Sequence, residues 1–132
     1  MKSVDELVTK LSPLPVVETV ERLSAVIAER SLKLFAVIDH SGEAKAAGLH
    51  LRNTKVVMFG APQAGTPVME AAPLAALGLP LKVLVWDDYG QTKLSYLAPA
   101  ALAARYGLSA ELEQRLVGID LVTDAALQDG ES

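Results

Sequence analysis

The chain has 132 residues and a net charge of −4, with 51% apolar and 21% charged residues. That length fits a single domain over residues 1–132 with a core of its own, and that composition excludes a disordered chain. The absence of cysteine excludes disulfides, thiolate nucleophiles and thiolate metal ligands.

A mildly acidic surface repels phosphate backbones, and Lys33, Lys45, Lys55, Lys82 and Lys93 stand singly, so no nucleic-acid partner is expected. No segment approaches the roughly 18 uninterrupted apolar residues of a spanning helix, so no membrane partner is expected. Met1 to Glu6 is charged and no apolar stretch follows. No secretory leader is therefore expected, and a cysteine-free chain suits the cytoplasm.

Residues 4–11 fit either a first strand or a short helix. Ser12-Pro13-Leu14-Pro15 ends that segment, because neither structure continues through two prolines. From Val16 to Arg30 the period is helical: Val16, Val20, Leu23 and Ile27 share a stripe, and Glu18, Glu21, Arg22 and Glu29 face away. Leu34-Phe35-Ala36-Val37-Ile38 is a continuous apolar run that predicts a strand covered on both faces. Asp39 and His40 follow. Ser41 to Ala47 predicts a short helix with Ser41 as its cap and Gly48 just past its end in a positive-φ conformation.

Val56 to Phe59 predicts the next strand, and Gly60 to Gly65 a turn. Thr66 is then expected at a helix N-cap with Pro67 in the first turn, where a missing N–H does no harm. Pro73 should stop or kink that helix, and Gly78 closes the segment. Leu81 to Trp86 and Thr92 to Leu97 predict two strands joined by the hairpin turn Asp87-Asp88-Tyr89-Gly90-Gln91. Pro99 opens a helix that runs through Tyr106 and ends at Gly107. Ser109 caps the next helix, with Leu112 and Leu116 inward. Gly118 weakens it, Ile119 to Leu127 forms a separate piece, and residues 128–132 should fray.

Sequential strands joined by short turns cannot all be parallel. The expected architecture is α+β: a mostly antiparallel sheet with helices packed on one face, as a two-layer sandwich.

Several residues could carry chemistry. A histidine beside a carboxylate, as at Asp39-His40, could shuttle protons. Neighbours on a strand point to opposite faces, however, so the competing reading makes Asp39 a cap and His40 a surface residue. His40, His50, Asp87 and Asp88 are irregularly spaced for a metal site, and Asp87 to Gly90 is explained by a turn, so no metal is assigned. Gly60-Ala61-Pro62-Gln63-Ala64-Gly65-Thr66-Pro67 could hold an anion at a helix N-terminus, but Pro62 and Pro67 remove donors. It is neither a Walker loop nor a dinucleotide fingerprint, and no Gly-x-Ser-x-Gly elbow occurs, so no cofactor is expected. Trp86 and Met58 fit a core, or else a shallow pocket with His40 and Tyr96.

The ordered succession of Phe35 to His40, Gly48, Gly60 to Met69, Leu79-Pro80-Leu81, Val85-Trp86-Asp87 and Leu94-Ser95-Tyr96 resembles the domain of unknown function family 302, from Val16 to Leu108. The resemblance implies a small sandwich with a curved antiparallel sheet, similar to TATA-binding-protein-like folds. It also implies a homodimer, but no reaction. That family often has a histidine where this chain has Tyr106, so chemistry by a histidine pair is not implied.

Two functions follow as expectations. The first is a non-enzymatic module that binds a small-molecule ligand or a partner protein, with Asp39, His40, Gly65, Thr66, Trp86, Asp87 and Tyr96 as candidate site residues. The second is an enzyme using Asp39 and His40 as acid–base groups. A homodimer is expected independently of the resemblance, because apolar residues of both parities on the strands outrun the cover that short helices provide.

Overall fold

In the computed structural model, which describes residues 6–128, β1 (Leu7–Ser12) leads into α1 (Val16–Glu29), β2 (Lys33–Asp39) and α2 (His40–Ala46). Then come β3 (Thr54–Gly60), α3 (Pro62–Ala71), a 3-10 turn (Pro73–Gly78), β4 (Leu81–Asp88) and β5 (Gln91–Leu97). The chain closes with α4 (Pro99–Tyr106), α5 (Ala110–Glu113), a second 3-10 turn (Gln114–Leu116) and α6 (Gly118–Leu127). The expectations for residues 4–5 and for fraying at 129–132 lie outside the described residues.

The sheet has five strands in the order β1-β5-β4-β3-β2, and every neighbouring pair is antiparallel. The α+β sandwich is therefore as expected. Over residues 7–11 the open choice resolves to a strand: all six residues of β1 pair with β5, a long-range partnership that local periodicity does not encode.

The core lies between the sheet and the helices on one of its faces. Val16, Val20, Leu23 and Ile27 of α1 are buried, as their stripe predicts. They belong to one cluster with Val57 and Phe59 of β3, Val83 and Val85 of β4, Leu94 of β5, and Ile119 and Val122 of α6. Each fully buried side chain of this size contributes roughly 1.5–3 kcal/mol. The alternate residues Val56, Met58, Leu84 and Trp86 point to the other face and are half-buried.

Prolines and glycines act largely where they should. Gly48 has φ 81° and completes a Schellman motif at the end of α2: Leu49 N–H donates to Ala44 O at 2.8 Å and Gly48 N–H to Lys45 O at 3.0 Å. Gly107 has φ 67° and ends α4. Tyr89 and Gly90, at φ 51° and 96°, form a two-residue hairpin loop with both φ values positive, the twist that matches the flanking strands. Ser109 caps α5 by accepting from Leu112 N–H at 3.2 Å.

Three local expectations are corrected. The apolar run of β2 is not covered on both faces. β2 is an edge strand, and Leu34, Phe35, Val37 and Ile38 keep 39, 48, 39 and 38% of their surface exposed. An apolar run looks the same whether its cover comes from the same chain or from elsewhere. The cap of α2 is Asp39, not Ser41: Asp39 Oδ1 accepts from Gly42 N–H at 2.9 Å, while Ser41 Oγ donates to the same oxygen at 2.8 Å. The strand ends two residues before Ser41, and at that boundary a carboxylate caps as well as a hydroxyl.

Thr66 is not an N-cap. α3 begins at Pro62 with Ala61 at the cap, so Thr66 and Pro67 lie inside the helix. Pro62 takes the position where a fixed φ helps and an absent N–H costs nothing. Pro67 leaves the carbonyl of Gln63 without its helical donor. Arg115 Nη1 reaches that oxygen at 3.5 Å.

Candidate functional site

The sheet register separates the candidate residues. Asp39 pairs with Lys55, and Lys55 with Val85, which places Asp39, His40, Trp86 and Asp87 at one end of the sheet. Gly65 and Thr66 follow the opposite end of β3. Tyr96 lies on β5, facing the helices, whereas Trp86 points to the other face.

Asp39 is heavily engaged. Lys55 Nζ lies 2.9 Å from its carboxylate, alongside the Gly42 N–H and the Ser41 hydroxyl. The Lys55 ammonium first, then the Gly42 and Ser41 donors, hold this carboxyl well below the usual carboxylate range. Such a group accepts a proton poorly near neutrality. His40 is the exposed first residue of α2, and its imidazole has no hydrogen-bond or ion-pair partner among the described residues. Asp87 Oδ1 accepts from Gly90 N–H at 3.1 Å, holding the hairpin turn. Among the described residues, no three His, Asp or Glu side chains gather as metal ligands would.

Trp86 is fixed on the outer face. Its indole N–H donates to Ser95 Oγ at 3.1 Å, and Lys93 Nζ lies 5.6 Å from its ring centre while bonding Asp88 Oδ2 at 2.6 Å. Gly65 lines a recess of about 230 Å³ with Phe35, Ala61, Met69, Leu79 and Leu116, at whose rim stands Arg115. Thr66 is exposed and lies outside that lining.

Tyr96 belongs to a polar network that the sequence did not reveal. Its hydroxyl donates to Asp120 Oδ1 of α6. Lys10 Nζ sits 5.3 Å from the Tyr96 ring centre and donates to Thr123 Oγ1 at 2.7 Å and Asp124 Oδ1 at 2.8 Å. Burial, then the bond to Asp120, pushes the Tyr96 phenol up. Burial pulls the Lys10 amine down, but its bonds to Asp124 and Tyr96 outweigh that, and its pKa is raised. The network ties α6 to β1 and β5. Its one sequence signal was a lysine at an inward position of β1, between Val8 and Ser12.

Residues 8–124 match the family described as domain of unknown function DUF302. The chain belongs to this family. The match extends the resemblance seen from Val16 to Leu108 to include most of β1 and part of α6. The DUF302 domain from Bacillus stearothermophilus, an uncharacterised conserved protein, has the same fold: TM-score 0.79 at 20% identity, covering 94% of this chain and 97% of that one. Two curated relatives are named fluoride-specific ion channel FluC 1, from Brucella suis and Brucella abortus. Each is 38% identical over 128 residues, covering 93% of this chain and 50% and 47% of those proteins. The DUF302 chain thus spans about half the length of the curated relatives it matches. Among its described residues, no helix is long and apolar enough to cross a membrane.

Proposed function

We propose that this DUF302 domain is a non-enzymatic interaction module that pairs with a second copy of itself along β2. The observation that carries the reading is the exposure of β2 on both parities: Leu34, Phe35, Val37 and Ile38 are all more than a third exposed. Sheet-on-sheet packing would cover one parity only. A strand added at the edge covers both, because its side chains lie beside β2 on each face while its backbone takes up the unpaired N–H and C=O groups. The other edge differs. On β1 the exposed Leu7 and Leu11 alternate with Val8 and Lys10, which face the helices.

A register irregularity between Leu34 and Ala36 marks a bulge at Phe35, and bulges blunt sheet edges. Pairing is therefore confined to Ala36–Asp39. An antiparallel pair about a twofold axis there joins two five-stranded sheets into one.

Asp39 and His40 support this reading over acid–base catalysis. The carboxylate is held ionised by three donors, and the described contacts join neither His40 to Asp87 nor either of them to Tyr96. The FluC relatives fit the same picture. A channel needs a bilayer-spanning part, and the half of those relatives that this domain matches has, among the described residues here, no helix able to supply it. We read the domain as their non-spanning half, a means of bringing copies together. Absence of cysteine suits a reducing cytosol, the compartment this reading assumes.

The same absence makes the test clean. Single cysteines placed at Ala36, Val37 and Ile38 should include at least one that forms a disulfide-linked dimer under mild oxidation, whereas Leu11→Cys on the other edge should not. Equal cross-linking from both edges, or none from β2, would contradict the reading.

A further inference from the structure

A second feature, independent of the β2 edge, lies where the sheet parts. β4 pairs with β3 as far as Phe59↔Leu81, and β5 pairs with β1 as far as Leu7↔Leu97. The ladder between β4 and β5, however, stops at Leu84↔Ser95. Beyond that pair the strands diverge, and a groove of about 440 Å³ opens between them. It has the size of a small-molecule site.

The walls are mostly aliphatic: Val56, Leu84 and Leu97 from the sheet, Leu102 from α4 and Ile119 from α6. Gly78 lets α4 approach closely, since a Cβ there would meet Leu102 Cδ2 and Tyr106 Cε2 at 3.1 Å each. Branched aliphatic side chains outnumber the two tyrosine rings of the lining, Tyr96 and Tyr106, and that balance favours a flexible alkyl chain over a planar ring.

The charged groups of the groove are cationic, beside the neutral hydroxyls of Ser95, Tyr96 and Tyr106. Lys82 and Arg105 line it, together with Tyr106. Lys82 Nζ donates to Pro80 O at 3.1 Å and has no carboxylate partner among the described residues. Burial lowers its amine, as it does for an ammonium without a countercharge. Arg105 Nη2 reaches Glu6 Oε1 only at 3.6 Å, with both side chains about half exposed, a pair of little net worth. Among the described residues, Lys82, Arg105 and the Glu6 beside it leave one positive charge uncompensated at the groove. That balance favours a monoanion over a phosphate.

We propose that this groove binds an acyl chain ending in a carboxylate, with the chain between β4 and β5 and the head group on Lys82. β2 lies two strands away, so edge pairing leaves the groove open and the two proposals fail separately.

Calorimetric titration of the full chain with decanoate and with decanol, both below their aggregation limits, tests it. Decanoate should bind saturably at one site, and decanol about tenfold more weakly, the loss of one charge-assisted contact. Lys82→Met should weaken decanoate by a similar factor and leave decanol unchanged. Leu84→Trp, which fills the groove, should abolish both. Backbone amide shifts should map the ligand to Leu84, Leu97 and Leu102, a readout that stands even if Leu84→Trp fails to fold. No saturable binding of decanoate would overturn the proposal. So would shifts centred on Phe35, Met69 and Leu79, or affinity indifferent to Lys82→Met.

Discussion

Asp39 and Lys55 face each other across β2 and β3, with 2.9 Å between Lys55 Nζ and Asp39 Oδ2. One carboxylate thus ties the edge strand to its neighbour and caps α2 through Gly42. The depressed pKa fixes how this contribution depends on pH. The folded state holds the ionised form more strongly than the unfolded chain does. The stabilisation is therefore present above the ordinary carboxylate value of 3.8 and is lost as pH falls through the lower folded value. Asp39→Ala should lower the melting temperature at neutral pH, and its deficit should shrink as pH falls below about 4. Melting curves from acid to neutral pH check this, and a deficit that persists unchanged at the acid end would show the pairing to be unimportant.

Gly48 carries its positive φ in open space: a Cβ built there meets nothing within 4 Å. A substitution is strained by backbone conformation alone. Gly48→Ala should destabilise by roughly 1 kcal/mol. Gly118 also has open space around it but no positive φ, and it begins α6. Gly118→Ala should be neutral or stabilising. Urea midpoints of the two variants should move in different directions.

Thr66 reverses sign relative to its sequence reading. A capping threonine changed to alanine would destabilise by about 1 kcal/mol. As an exposed residue inside α3, Thr66→Ala should instead raise stability by a few tenths of a kcal/mol, because alanine is the better helix former. A lowered denaturation midpoint would contradict the helix start at Pro62.

The difference between these two positions shows what was legible. Gly48 was readable because only one conformation ends a helix that way, and the signal is local. The hairpin at Tyr89-Gly90, the stripe of α1 and the breaks at Pro73 and Gly107 were readable for the same reason. Thr66 was misplaced because two prolines five residues apart both suit a first turn, and nothing local shows that Arg115, far along the chain, reaches the Gln63 carbonyl that Pro67 leaves open. β2 misled because an apolar run carries no information about what covers it. At the candidate site, sequence placed Asp39 and Asp87 at strand ends, whereas His40 opens α2. Sequence could not show that Lys55, Ser41 and Gly42 engage Asp39, nor that Trp86 and Tyr96 face opposite ways. The Lys10–Tyr96–Asp120 network joins the first strand to the last helix, beyond the range of any local pattern.

That network has its own pH signature. Both Lys10 and Tyr96 have folded pKa values raised above their ordinary 10.5 and 10.0. A raised folded pKa stabilises fully below the unfolded value and is lost as pH rises through the folded one. Stability should therefore fall above about pH 10. Tyr96→Phe should remove part of that alkaline loss. At neutral pH it should also cost roughly 1 kcal/mol, since Asp120 loses a buried donor. Thermal denaturation from neutral to alkaline pH would test both, and parallel curves for the two proteins would count against the network.

The central claim, pairing along β2, is tested most directly by light scattering across the micromolar range, on the wild type and on Val37→Lys. Val37 is 39% exposed on the edge strand, so a lysine there is tolerated by the monomer but charges the paired surface. The account predicts about twice the 14.0 kDa chain mass for the wild type and a shift to the single-chain mass for Val37→Lys, with little change in melting temperature at low concentration. A wild-type mass that stays at 14.0 kDa on concentration, or a dimer indifferent to Val37→Lys, would contradict it.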